Sequence, residues 1–207
     1  MREALTRPMS NKMQVILCGA LLCLISIWAY FYQFESAQFL SRFDYHAEQI
    51  WQQPWRLVTA HFLHLSTLHW VGNVLAFAGV TIVFARHFTV RTYLNALLIL
   101  TVGSAALLWF AGYQQRFVGL SAVVHGLLVM GILLEYRGDD TPAHKRLLLL
   151  ALGLLLAKLA AEWLGWWTSP LTTGQDDQLW QLHGAGIICG ILAWWLHNRR
   201  LAKLAQS

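Results

Sequence analysis

The sequence predicts an all-α polytopic membrane protein, a single bundle of six transmembrane helices, and three observations predict it. Of the 207 residues, 57% are hydrophobic and only 12% are charged, too few to cover a body of this size with water-facing surface. Apolar runs recur along the whole chain at about 17 to 25 residues each, the length at which a helix crosses the hydrocarbon core. The basic residues then fall in alternate connections, as an even number of crossings demands. No soluble domain, low-complexity linker or internal repeat divides residues 1–207, so one membrane domain is expected.

The first span is expected over 13–34. It follows Arg2, Arg7 and Lys12 as a signal peptide would, but it is long for such an apolar region and no small-residue cleavage site follows. It therefore reads as a retained signal anchor. Residues 35–66 form the longest polar connection, and Trp51, Trp55, Phe62 and Leu65 predict a structured segment resting in the interface, where aromatic rings are favoured. The second span is expected over 67–84, with Ser66 as N-cap. Spans three to six follow over 91–112, 119–136, 146–167 and 179–197, with Trp166, Trp167, Trp194 and Trp195 as interfacial anchors near span ends.

Charge orients the bundle. Arg86 and Arg91, then Arg137, Lys145 and Arg146, then Arg199, Arg200 and Lys203 join the N-terminal basic group on one side. The other side holds Arg42, Arg56 and Arg116 beside Glu35, Asp44, Glu48, Asp176 and Asp177. The positive-inside rule makes both termini cytoplasmic. The net charge of +5 thus reports topology, and no nucleic-acid partner is expected. Cys18, Cys23 and Cys189 all lie within spans, without metal-ligand spacing or a disulfide pattern, and read as packing residues.

Polar groups inside a span are costly and default to function. Three sets stand out: His64, His69 and Asn73 in HLSTLHWVGN; Ser121 and His125 in GLSAVVHG; and His183 in HGAGIICG. Spans two, four and six run in one direction, from outside inward. With a rise of about 1.5 Å per residue, His69, Asn73, Ser121 and His183 all fall at similar depth in the outer half of the bilayer. His69 and Asn73, four apart, share a helix face. Gly186 and Gly190, with Gly184 beside them, form a small-residue pair that lets the helix of His183 approach that of Ser121 closely.

A serine nucleophile needs a base within hydrogen-bond reach, and a developing oxyanion needs donors aimed at it. Ser121, His183, and Asn73 with His69 can fill these roles in that order, and the Ser121 backbone N–H near a helix N-terminus adds a donor. No Asp or Glu is read at this depth to orient the base, so a two-residue dyad is expected. His125, one turn from Ser121, is a competing base. Plainer readings suit the remaining groups. His87 is a terminal imidazole, His64 a structural donor, Lys158 and Glu162 a mutually neutralising pair one turn apart, and Glu135 and Arg137 are solvated.

Together these residues resemble the rhomboid intramembrane serine proteases. The likeness covers nearly the whole chain: six spans, PWRLVT before span two, the His-x4-His-x3-Asn spacing of HLSTLHWVGN, GLSA for Gly-x-Ser-Gly, and HGAGIICG for His-x2-Gly-x3-Gly. It implies Ser121 as nucleophile after Gly119, His183 as base, and His69, Asn73 and Ser121 as oxyanion donors. It also implies Trp55 and Arg56 as the structural pair of the outer loop, with no cofactor and no metal. Implied too are a bacterial inner-membrane location, a site open to the periplasmic side, and membrane-anchored protein substrates.

Two residues depart from the common pattern. Ala122 replaces the glycine after the serine, and His125 stands where many rhomboids carry a tyrosine that stacks on the catalytic histidine. With the bare six-span body and GLS-x-x-x-HG, this resembles the rhombosortase branch, whose proposed substrates are exported proteins with a Gly-Gly-containing C-terminal membrane tail. The alternatives are a general rhomboid with other single-span substrates and a relative that binds membrane segments without cutting them. A haem or metal carrier using His61, His64, His69, His125 and His183 is a further alternative, which no His-Glu-x-x-His or cysteine-ligand pattern supports.

Overall fold

Helix succeeds helix along the chain because long apolar runs with few breakers have no other way to satisfy their backbone groups away from water. The computed structural model describes residues 9–36, 38–138, 141–168 and 178–204. Arg2, Arg7, Asp176 and Asp177, which entered the charge count, lie outside them. The helices are α1 (Asn11–Glu35), α2 (Phe39–Phe43), α3 (Arg56–Thr59), α4 (Thr67–Phe84) and α5 (Val90–Leu98). A π-helical stretch, Ile99–Gly103, leads on to α6 (Ser104–Phe110), then come α7 (Ser121–Gly138), α8 (Pro142–Trp163) and α9 (Leu179–Leu204). Among the described residues the only β pairing is an isolated bridge between Tyr45 and Phe117.

Among the described residues, four segments are long and apolar enough to cross a membrane: Asn11–Glu35, Thr67–His87, Val90–Phe110 and Leu179–Lys203. Helices also stand at the other two expected positions, but polar side chains dilute them. Glu135 and Arg137 close α7, and α8 opens with His144, Lys145 and Arg146 and carries Lys158 and Glu162 farther on. α7 is the central helix, buried on nearly every side from Ala122 to Glu135. α1 instead leaves Leu17, Leu21, Leu24, Trp28 and Phe31 exposed, an apolar stripe suited to lipid.

The helix ends follow local chemistry. Ser66 caps α4 as expected, its hydroxyl accepting the His69 N–H at 3.2 Å. α8 stops at Trp163, short of the expected residue 167, because the chain turns back in a Schellman motif. Gly165 takes φ +70°, Trp166 N–H donates to the Ala161 carbonyl at 2.8 Å, and Gly165 N–H donates to that of Glu162 at 3.2 Å. Glu162 is therefore in the last turn of its helix.

The connecting segment 38–66 is built around Arg56, which is only 2% exposed. Its guanidinium donates to Asp44 Oδ1 at 2.8 Å, to the Asp44 carbonyl at 2.7 Å, to the Ser41 carbonyl at 3.0 Å and to Gln53 Oε1 at 2.8 Å. Trp55 Nε1 donates to the Arg42 carbonyl at 3.3 Å. The second oxygen of Asp44 accepts from Arg116 Nε at 2.6 Å, and Tyr45 stacks on Phe117 with centroids 4.5 Å apart. The segment is thereby fastened to the strip of chain that leads into α7.

At the opposite end of α7, Glu135 is not solvated as expected. It is 4% exposed and accepts from Arg86, from His87 Nε2 at 2.6 Å and from His144 Nε2 at 3.1 Å. The turn after α4 and the first turn of α8 fold over it, which also makes His87 a bonded partner and not a free terminal imidazole. A carboxylate this deep requires such partners.

Candidate active site

The glycines of α9 set the site. A Cβ on Gly186 would run into the Ala122 carbonyl, and one on Gly190 into the Gly126 carbonyl. Both pairs have the same separation in sequence, so α7 and α9 run parallel and in register along this seam. That register brings His183, one turn before Gly186, level with Gly119 to Ser121 at the start of α7. Among the described residues the Ser121 hydroxyl and the His183 ring are brought to one level but not bonded to each other. Such geometry commonly tightens only once substrate is bound.

Gly119 explains its own identity twice over. Its φ of +117° lies in the region that side chains rarely adopt, and a Cβ there would sit 2.7 Å from His69 Nε2 and 3.2 Å from Asn73 Nδ2. The backbone thus passes directly over the α4 face that carries both residues, one turn apart. Gly119 N–H also donates to the Ala60 carbonyl at 2.9 Å, pinning this approach to the connecting segment.

Ser121 and His69 line a cavity of about 60 Å³ together with Asp44, Arg116, Leu65 and Leu179. The space admits water, and its wall is partly charged. Burial pushes the Asp44 carboxyl upward against the pull of Arg116 and Arg56. Among the described residues, Asn73 Nδ2 is buried without a hydrogen-bond partner, as is His69 Nδ1. A buried orphan donor costs roughly 1 to 3 kcal/mol, so an unpaired amide beside a serine is a group awaiting an acceptor. His64 lies edge-on to His69 at 5.0 Å with both ring nitrogens unpartnered among the described residues. Burial, reinforced by the neighbouring His69, holds it down to about 3. Its carbonyl accepts from Gln33 Nε2 of α1 at 2.7 Å, which ties the connecting segment to that helix. His61 is fully buried, its Nε2 donating to the Thr101 carbonyl in the π-helical stretch at 3.1 Å.

His125 lies flat on His183, with centroids 4.1 Å apart and planes within 15°. Its Nδ1 is 2.6 Å from the Ser121 carbonyl, to which it must donate, and its Nε2 then accepts from Lys158 Nζ at 3.0 Å. Neither nitrogen is left for the Ser121 proton, so the geometry speaks against His125 as the competing base.

The expectation that no carboxylate stands at the depth of His183 is overturned. Glu162 Oε2 is 2.8 Å from His183 Nδ1, while Glu162 Oε1 accepts from Lys158 Nζ at 2.7 Å. The Lys158–Glu162 pair forms as its i, i+4 spacing suggests, but that spacing does not reveal which neighbour the shared face meets. It meets His125 and His183.

The family model of the Rhomboid domain matches residues 51–200, a stretch that contains His69, Asn73, Ser121, His125, Lys158, Glu162 and His183. The chain belongs to the rhomboid family. Membership supports an intramembrane serine protease that acts on membrane proteins within the bilayer. A search of curated proteins finds no match. Among the described residues of this rhomboid, no group of three or more His, Cys, Asp or Glu is disposed to hold a metal ion. Of the histidines in the metal-carrier alternative, His61 bonds a carbonyl, His125 a carbonyl and an ammonium, and His183 a carboxylate.

Proposed function

We propose that this rhomboid hydrolyses a peptide bond in or next to a transmembrane segment, with Ser121 as nucleophile and His183 as general base. The reading is carried by the α7–α9 seam, which levels His183 with Ser121 beside the unpartnered Asn73 amide. His183 Nε2 takes the hydroxyl proton as Ser121 Oγ attacks the scissile carbonyl. The oxyanion is held by Asn73 Nδ2, His69 and the Ser121 N–H, and the Asn73 amide needs no reorganisation because it has no other partner among the described residues. His183 then protonates the departing amine, and water entering from the cavity hydrolyses the acyl-enzyme. A helical substrate has to unwind for this, which glycine near the scissile bond eases.

Six spans are supported by α7 and α8 standing beside the four more apolar helices, with Glu135 and Glu162 buried against partners inside the bundle. The basic residues around Glu135 and at the end of α9 argue for that end, and both termini, being cytoplasmic. The Ser121 end then opens to the periplasm of a bacterial inner membrane. The His125–His183 stack supports the narrower rhombosortase reading, with exported proteins bearing a Gly-Gly C-terminal anchor as substrates.

The test is co-expression with a reporter carrying a Gly-rich C-terminal anchor. Release is expected from the wild type and none from Ser121→Ala. Equal release of an unrelated type I anchor would favour a general rhomboid, and release that survives Ser121→Ala would refute the protease mechanism. A fluorophosphonate probe that labels both proteins equally would refute it too.

A further inference from the structure

We propose that Glu162 is a positioning residue for the base, so that the site operates as a Ser121–His183–Glu162 arrangement with Lys158 holding the carboxylate in place. This rests on the roles given above to Ser121 and His183.

The hydrogen-bond inventory selects the arrangement. His183 Nδ1 has two neighbours of opposite kind, Glu162 Oε2 at 2.8 Å and Lys158 Nζ at 3.1 Å. If Nδ1 carries the proton, it donates to the carboxylate and Nε2 keeps the lone pair that a general base needs. If Nδ1 instead accepts from the ammonium, the proton sits on Nε2 and the ring cannot take one from Ser121. Lys158 already has two acceptors, Glu162 Oε1 at 2.7 Å and His125 Nε2 at 3.0 Å. His125 in turn donates to the Ser121 carbonyl at 2.6 Å. With Nδ1–H on Oε2, every donor in the chain meets its own acceptor and both carboxylate oxygens are used. The other tautomer strands Oε2.

Placement favours the same conclusion. Glu162 occupies the last turn of α8, where the helix dipole disfavours a negative charge. Its side chain is 3% exposed, so water does not repay that cost. A carboxylate kept at so poor a position is explained by the two cations or proton donors it serves. The same orienting logic operates in serine hydrolases whose histidine is held by a buried acid.

The experiment compares wild type, Glu162→Gln, Glu162→Asp and Ser121→Ala in detergent or liposomes, reading kcat and KM for reporter cleavage and the pH dependence of fluorophosphonate labelling. Glu162→Gln is expected to lower kcat by about 10² to 10⁴-fold, with KM little changed and partial recovery in Glu162→Asp. The groups facing His183 are His125 from α7, His69 from α4, and Lys158 and Glu162 from α8. Loss of the carboxylate leaves Lys158 to disfavour the imidazolium, so the rising limb of the pH profile is expected to move to lower pH. A merely structural role would lower the plateau and leave the limb in place.

A second reading does not need activity: ¹⁵N-histidine NMR of Ser121→Ala is expected to show His183 protonated at Nδ1. A ring protonated at Nε2 would overturn the proposal, as would a wild-type rate and unshifted limb in Glu162→Gln while Ser121→Ala is silent. Labelling that persists in Ser121→Ala would instead sink the protease reading on which it rests.

Discussion

His125 and His183 lie face to face, 4.1 Å between ring centroids, although they belong to different helices and the sequence separates them by most of α7 and all of α8. The stack fixes the plane of the His183 ring, while hydrogen bonds at Nδ1 fix its rotation within that plane. Replacing His125 by Phe, which can stack but not bond, is expected to retain cleavage within about tenfold. His125→Ala removes the stack and is expected to lose more, and His183→Ala to lose all of it. Initial cleavage rates decide the order; full activity without His183 would reverse the assignment of the base.

The α7–α9 seam predicts a steep size dependence. Gly186→Val places a branched side chain where even a Cβ meets the Ala122 backbone. Overpacking of this kind costs roughly 1 to 3 kcal/mol or more, and it also moves His183 away from Ser121. Both the melting temperature in detergent and fluorophosphonate labelling are expected to fall. Ala122→Gly should behave differently: it lies on the same seam, fully buried, and relieves rather than adds bulk. Helix propensity then sets the loss at about 1 kcal/mol, with labelling retained.

Arg56 and Asp44 form a buried pair, 2% and 4% exposed, that organises the connecting segment and reaches Arg116 just before α7. Breaking such a pair from one side leaves an uncompensated charge at a cost of roughly 3 to 5 kcal/mol. Arg56→Ala is expected to expose residues 38–66 to limited proteolysis and to slow cleavage. Unchanged protease resistance would mean that the segment is held by its aromatic contacts alone.

His61 and His64 predict acid sensitivity. Burial lowers them to about 4 and about 3, respectively, against about 6.5 in an unfolded chain. Below pH about 6.5 the unfolded state therefore binds protons that the folded state refuses, so stability is full above that value and drains away as pH falls toward 4. Each contributes roughly 3 kcal/mol over the interval. The melting temperature is expected to drop across it, less steeply in His64→Leu. A wild-type profile flat from pH 7 to 4.5 would contradict this.

Composition and the recurring apolar runs made the all-helical architecture legible, and the motif glycines made the seam legible, because Gly186 and Gly190 carry their packing role in their spacing. The N-cap at Ser66 was equally plain. Three things were not. The Schellman end of α8 was hidden because Gly165 sits among tryptophans that read as a continuing span. Glu135 looked solvated because nothing local shows that His87, 48 residues before it, and His144, across the turn into α8, close over it. Glu162 looked self-sufficient beside Lys158, since a helical spacing names the partner on the same helix and is silent about the next one.

The knot at Glu135 has a mechanical consequence. It ties the turn after α4, the end of α7 and the start of α8 at one pole, while at the Ser121 pole the Lys158–Glu162 pair joins the last turns of α8 to His125 of α7 and His183 of α9. α8 is thus riveted to its neighbours near both of its ends, and a change that loosens one rivet leaves the helix held by the other.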